Sequence, residues 1–215
     1  MVEYSVSTSF KWQGAITDRV ASVCRLFGLT IDRLAQRRCT HKCRLEIDPG
    51  DIIYITGPSG AGKTVLFKEL EKAVPAADRI NLADIEIPSD RTLIDCINAD
   101  LMTSLRFLAY AGLNDCYCIL NQPSRLSAGE QYRFRLAMAL AAGRRFVFAD
   151  EFCCELDRIT ATVIASQLHR FAKREGTTFI LASSHEDILL DLAPDVLVVK
   201  KSTGPAEVIY KHTRR

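Results

Sequence analysis

No long apolar run interrupts this 215-residue chain. Its most apolar stretch, around 137–142, is bounded by Arg135 and Arg144 and falls far short of the ~20 residues that a membrane span needs. Residues 1–6 carry neither a basic segment nor an apolar one, so no secretory leader is expected and the chain reads as soluble and cytoplasmic. One-sided charge is missing too. Lys and Arg number 28 against 26 Asp and Glu, a formal +2 that by itself points neither to nucleic acid nor to an anionic membrane. Repeats, low-complexity tracts and Pro/Gly/Ser-rich linkers are likewise lacking, which leaves one domain with room for an inserted subdomain. With 48% apolar and 25% charged residues the chain has material for a sizeable core, and wholesale disorder is excluded.

Cysteine, by contrast, is plentiful: eight residues, at 24, 39, 43, 96, 116, 118, 153 and 154, without regular paired spacing. Most are expected to be small buried apolar residues or inert thiols. Cys39 and Cys43 flank His41, but a structural zinc site needs four ligands and a second cysteine pair. Cys116 and Cys118 stand too close together to supply that pair. Zinc is therefore the lesser reading of Cys39 and Cys43.

Four short, unalternated apolar runs occupy 52–56, 146–149, 178–182 and 196–199. Runs of this length fit strands covered on both faces, as in a parallel sheet. Helical patterns lie between them, at 64–74, 127–142 and 157–175, and the β-then-α order argues for an open α/β sheet. Residues 200–205 separate the fourth run from 207–210 and read as a hairpin turn. The stretch 88–120 is mostly helical in pattern. With the helix that follows, it makes 88–142 a candidate inserted helical subdomain.

Gly57-Pro58-Ser59-Gly60-Ala61-Gly62-Lys63-Thr64 satisfies G-x-x-x-x-G-K-[ST], after a predicted strand and before a predicted helix. Backbone N–H groups of such a turn converge on phosphate oxygens. Lys63 adds a point charge, and the Thr64 hydroxyl suits Mg²⁺. A second element is Phe146-Val147-Phe148-Ala149-Asp150-Glu151, an apolar run ending in two acids. It is expected to stand beside the first strand, with Asp150 toward the metal and Glu151 toward an attacking water. An apolar strand followed by an acid is common, and by itself reads as a helix cap or a solvated edge. The glycine loop shifts the balance toward ATP and Mg²⁺.

Leu126-Ser127-Ala128-Gly129-Glu130 resembles the signature of ATP-binding-cassette ATPases, usually L-S-G-G-Q, and the remaining segments follow that family's order. Asp150 and Glu151 look like its Walker B with catalytic glutamate, Glu155-Leu156-Asp157 resembles its D-loop, and His185 sits where its switch histidine does. The resemblance covers about residues 20–211. It implies an α/β P-loop ATPase with N-terminal β-strands and a reduced helical insert. It further implies that Lys63, Glu151 and His185 act on ATP, and that Ser127 and Gly129 complete the site of a second subunit in an ATP-dependent homodimer. Ser127 also reads as a helix cap, with Glu130 closing a capping box, and the two readings are compatible. Asp157 reads equally as a cap.

Several positions depart from the pattern. Ala128 replaces a glycine and Glu130 a glutamine, and a glutamate at the latter position is similar to non-transport family members that act on chromosomes or ribosomes. No Q-loop glutamine is evident, and only Asp84 or Glu86 stands in its place. Phe27 is the best positional match to the adenine-stacking aromatic, with Tyr4, Phe10 and Trp12 as substitutes. The basic run Arg33, Arg37, Arg38, Lys42 and Arg44, with Lys211, Arg214 and Arg215, reads first as a solvated face and second as a nucleic-acid contact. The expected function is ATP hydrolysis in a dimeric switch or motor, with nucleic acid as one partner class. The alternatives are a transporter subunit serving a separate membrane protein, or a regulator of a partner enzyme.

Overall fold

A long antiparallel hairpin opens the chain: β1 (Val2–Lys11) pairs along its length with β2 (Arg38–Ile47), Val2 opposite Ile47. The computed structural model describes residues 2–36, 38–202 and 204–211, and the side chains of Phe10, Arg38, Cys39 and Thr40 lie outside the described set. The expectations placed on Phe10, Arg37, Arg38, Cys39, Arg214 and Arg215 therefore fall outside it. Within β2 the side chains alternate, as the pleat requires: His41, Cys43, Leu45 and Ile47 are buried, while Lys42 and Arg44 are exposed. Arg44 is paired with Glu3 across the hairpin.

Between the two strands run two short helices, α1 (Asp18–Leu26) and α2 (Ile31–Gln36). The Thr17 hydroxyl caps α1 by accepting from the Val20 N–H at 3.3 Å. At its other end Gly28 takes φ +64°, so that the Gly28 N–H reaches the Arg25 carbonyl and the Leu29 N–H the Cys24 carbonyl. That pair of bonds is a Schellman stop.

The six-stranded main sheet begins with β3 (Ile52–Thr56), which feeds a glycine loop and α3 (Lys63–Ala73). The short β4 (Arg79–Asn81) follows, then α4 (Leu93–Cys96), α5 (Leu101–Tyr110), α6 (Cys116–Ile119) and the longer α7 (Ala128–Ala141). The chain continues through β5 (Phe146–Ala149), α8 (Arg158–Glu175), β6 (Thr178–Ala182) and α9 (Leu189–Leu192), and closes with β7 (Val196–Val199) and β8 (Glu207–Tyr210). The sheet order is β4-β5-β6-β3-β7-β8, parallel except for the last hairpin.

This order corrects one expectation. The strand carrying Asp150 and Glu151 does not adjoin the strand of the glycine loop, because β6 lies between them. The cleft between loop and acids is thereby one strand wider, and the turn after β6 becomes part of it.

Alternate residues of each strand serve opposite faces. Ile52, Tyr54, Val147, Ala149, Phe179 and Leu181 face α7 and α8 in one core. Ile53, Ile55, Phe146, Phe148, Ile180 and Ala182 face α3 and β2 in the other. Phe148 meets Phe67 edge to face, ring centroids 5.5 Å apart. Leu93, Leu108 and Phe134, from the helical stretch, join the same cluster as Tyr54 and Phe179. Within that stretch α5 packs against α7 and α8, with Phe107 against Phe171.

Candidate active site

The geometry starts at the glycine loop. Gly62, the N-cap of α3, has φ +92°, and no side chain caps the helix. The first N–H groups of α3 therefore face the cleft without a side-chain acceptor, the condition for anion capture. Two glycines are required sterically. A Cβ on Gly57 would lie 2.1 Å from the Lys200 carbonyl oxygen, and one on Gly62 would lie 2.2 Å from His41 Cε1. Lys63 Nζ donates to the loop's own carbonyls at Gly57 (2.8 Å) and Pro58 (3.2 Å). These are neutral acceptors that a phosphate oxygen outcompetes.

A cavity of about 310 Å³ brings Ser59, Gly60, Gly62, Lys63 and Thr64 together with Asp150 and Glu151. Glu151 adopts φ +52°, a left-handed conformation costly for a residue with a Cβ. Local hydrogen bonds hold it there. The Asp150 carboxylate accepts from the Glu151 N–H at 3.0 Å, the Glu151 carbonyl accepts from the Cys154 N–H, and the Phe152 N–H reaches across to the Ala182 carbonyl. The residues fit a magnesium–nucleotide complex in kind: an uncapped helix N-terminus, an ammonium, a hydroxyl and two carboxylates around one cavity.

His185 lies outside the lining, and its ring is exposed. Its backbone is nevertheless fixed: the Tyr54 hydroxyl donates to its carbonyl at 2.5 Å, and its N–H donates to Ser183 Oγ at 3.2 Å. Burial pushes the Tyr54 phenol up, which keeps it a donor. Ser127 caps α7 by accepting from the Glu130 N–H, and the Glu130 carboxylate accepts from both the Ser127 N–H and hydroxyl at 2.8 Å. Those bonds hold the Glu130 carboxyl below its ordinary range. Gly129 lies against the turn at 155–156, where a Cβ would meet Leu156 Cδ2 at 3.3 Å. Asp157 caps α8 through Thr160. Ser127 and Gly129 do not line the Lys63 cavity.

Phe27 is not brought to this site. It ends α1 with 77% of its surface exposed and lines none of the cleft. Tyr4 packs against Phe146 instead. Asp84 and Glu86 follow β4 and are exposed, while their neighbours Leu82 and Ala83 line a second cavity of about 270 Å³ on the far side of Asp150 and Glu151.

Sequence reasoning missed several groups. Cys154, Ser183 and Ser184 line the phosphate cavity, and Arg135 lines the second one with Tyr132 and Glu155. The Tyr132 hydroxyl accepts from the Cys153 N–H at 3.1 Å and ties α7 to the acid-bearing turn. His41 and Lys200 sit behind the glycine loop. A polar residue at a core position of an alternating strand was the available signal for His41.

A family model described as ABC transporter matches residues 40–106, a stretch that includes the glycine loop. The lipoprotein-releasing system ATP-binding protein LolD of Novosphingobium aromaticivorans is 25% identical over 206 residues, covering 76% of this chain and 86% of that protein. The methionine import ATP-binding protein MetN of Xanthomonas oryzae pv. oryzae is 25% identical over 215 residues, covering 81% of this chain and 63% of that protein. The chain thus spans most of the first relative and less than two thirds of the second. A dimeric bacterial ABC transporter cassette shares the fold, with a TM-score of 0.66 at 18% identity over 85% of this chain and 95% of that one.

Proposed function

We propose that the chain is an ATP-binding-cassette ATPase, working as an ATP-dependent homodimer whose hydrolysis at Glu151 drives a separate partner protein. The observation that carries the reading is the single cavity joining Lys63 and Thr64 to Asp150 and Glu151. Lys63 leaves the Gly57 and Pro58 carbonyls for the terminal phosphates, and the α3 N–H groups hold the phosphate chain. Mg²⁺, when bound by Thr64 and Asp150, would neutralise part of the charge on the phosphates. Glu151 orients and deprotonates the attacking water, and its fixed left-handed backbone aims the carboxylate into the cavity. His185 acts from the edge of the cavity once nucleotide is bound.

Ser127 and Gly129, remote from their own subunit's loop, complete the partner copy's site by presenting the α7 N-terminus to its terminal phosphate. ADP lacks the group that this contact reads, so hydrolysis releases the dimer.

As to what is driven, the relatives named for lipoprotein release and methionine import favour a cytoplasmic subunit serving a separate membrane protein. Among the described residues no helix is long and apolar enough to cross a membrane itself. A nucleic-acid partner draws less support. Arg44 is already paired with Glu3, and the relatives' names speak of none.

The test is Glu151→Gln. Hydrolysis is expected to fall at least ~100-fold while Mg-ATP still binds, because the amide accepts no proton. ATP and not ADP should then shift the variant from monomer to dimer in size-exclusion chromatography, and adding Ser127→Arg should reverse the shift. A Glu151→Gln protein that stays monomeric in saturating Mg-ATP would sink the dimer mechanism.

A further inference from the structure

Lys200 is only 1% exposed, the most deeply buried charged side chain among the described residues. Its ammonium donates to two backbone carbonyls, Lys201 at 2.6 Å and Gly204 at 3.1 Å, and no carboxylate partners it among the described residues. A buried charge held only by neutral acceptors is costly, and loss of the charge would ordinarily be tolerated or favourable. Its position supplies a reason to keep it.

The Lys200 backbone brackets the start of the glycine loop. Its N–H donates to the Thr56 carbonyl at 2.8 Å, and its own carbonyl is in contact with Gly57. At the loop's other end the His41 ring packs on Gly62. The turn that Lys200 closes is tied to the same strand, because the Ala206 N–H donates to the Lys42 carbonyl at 3.0 Å. Burial and then the Lys200 charge lower the His41 pKa, so the ammonium's field reaches the group that touches Gly62. Lys200 therefore lies behind the loop whose front face gathers the α3 N–H groups and Lys63, its main chain against Gly57 and its ammonium anchored in the adjoining turn. At 1% exposure its field is screened less by salt than that of a surface lysine.

We propose that Lys200 is a positioning residue for phosphate binding: a fixed, buried cation behind the glycine loop whose cost in the nucleotide-free protein is offset by the substrate's phosphates. It acts through the loop and through space, without touching substrate. The proposal rests on the reading of the loop as a nucleoside-triphosphate site. It predicts that affinity depends on Lys200 more strongly as the ligand gains phosphates.

The experiment compares the unmodified protein with Lys200→Gln, which keeps a donor for the turn carbonyls, and Lys200→Met, which keeps only the shape. Thermal unfolding is measured without nucleotide and with Mg-ATP, and affinities for Mg-ATP, Mg-ADP and AMP are measured by calorimetry. Removing the charge is expected to weaken Mg-ATP about tenfold, Mg-ADP less and AMP not at all. KM for ATP should rise with kcat held within about twofold. The nucleotide-free melting temperature of Lys200→Gln should not fall, while its rise on adding Mg-ATP should shrink. A lowered nucleotide-free melting temperature with an undiminished rise would overturn the proposal, because Lys200 would then merely pin the turn. Should Lys200→Met fail to fold, Lys200→Gln decides alone. If the unmodified protein shows no rise with Mg-ATP, the nucleotide-site reading falls and takes this proposal with it. A normal rise in the unmodified protein, unaltered in Lys200→Gln, overturns the proposal only.

Discussion

The carboxyl ends of β3, β5 and β6 and the helical excursion at 12–36 obey the same local rules and reach opposite outcomes. The helices packed on that sheet and those of the excursion share hydroxyl N-caps, Ser127 for α7 and Thr17 for α1. Both contain a glycine in the left-handed region where the chain must turn. Yet α7 buries Phe134, Leu136, Ala137, Ala139 and Leu140, whereas Cys24 is the one buried residue described between 13 and 36. Capping and stop signals decide that a helix forms. Burial against the sheet decides where its side chains stand, and a site is assembled only where the second condition holds. Glu151 keeps a left-handed backbone because Phe152 beside it is fully buried and bonded to β6, so packing offsets the strain.

The sharpest way to test that contrast is to remove packing from the sheet itself. Phe148 is fully buried and meets Phe67 edge to face, two residues before Asp150. Phe148→Ala should cost about 3–5 kcal/mol in denaturant unfolding, through lost transfer energy and the cavity left behind. ATPase activity should fall with it, since β5 aims both acids. A loss below about 1 kcal/mol would mean that the strand carrying the acids is no better determined than the excursion.

A matched pair of caps makes a smaller, more direct comparison. Ser127→Ala should lower global stability by ~1 kcal/mol, because α7 must be folded for the core to close. Thr17→Ala removes the same chemistry from α1, where little is buried. It should leave the denaturant midpoint unchanged and speed only the amide hydrogen exchange of α1, which opens locally. Equal shifts in the midpoint would show that the excursion is part of the cooperative unit.

The same division runs through what could be read from the residues. The apolar runs at 52–56, 146–149, 178–182 and 196–199 stand as β3, β5, β6 and β7 without a shifted end. Each is short, apolar and bounded by turn residues, so period and burial agree. The helices expected from 127 and 157 begin one residue later, as Ser127 and Asp157 are caps outside the first turn. The strand order was not legible, because nothing in a parallel strand names its neighbour. β4 was missed: three residues, Arg79-Ile80-Asn81, give no periodicity, and it borders the sheet half-buried. In the site, the phosphate loop and the two acids came from contiguous motifs with a chemical reason at each position. Cys154, Ser183 and Ser184 came from the turns that β6 brings alongside, and Lys200 from a hairpin whose polar composition suggested solvent.

Phe27 is where the two regions make opposing demands, and its removal should have the smallest effect. The resemblance assigns it to the adenine, a role that would contribute roughly 0.5–1.5 kcal/mol through ring stacking. The structure sets the ring at the end of α1, held outward by the Gly28 stop and 77% exposed. A side chain so placed loses little on truncation. Phe27→Ala is expected to change stability by no more than ~0.5 kcal/mol and Mg-ATP affinity by no more than about twofold. The measurement should be made by calorimetry on the Glu151→Gln protein, so that hydrolysis does not blur the affinity. A loss of about threefold to tenfold for ATP, with AMP equally weakened, would place the ring on the base. The excursion would then fold over the cleft when nucleotide enters. An unchanged affinity instead leaves the adenine to be held by groups other than this ring, and confines the site to what the sheet positions.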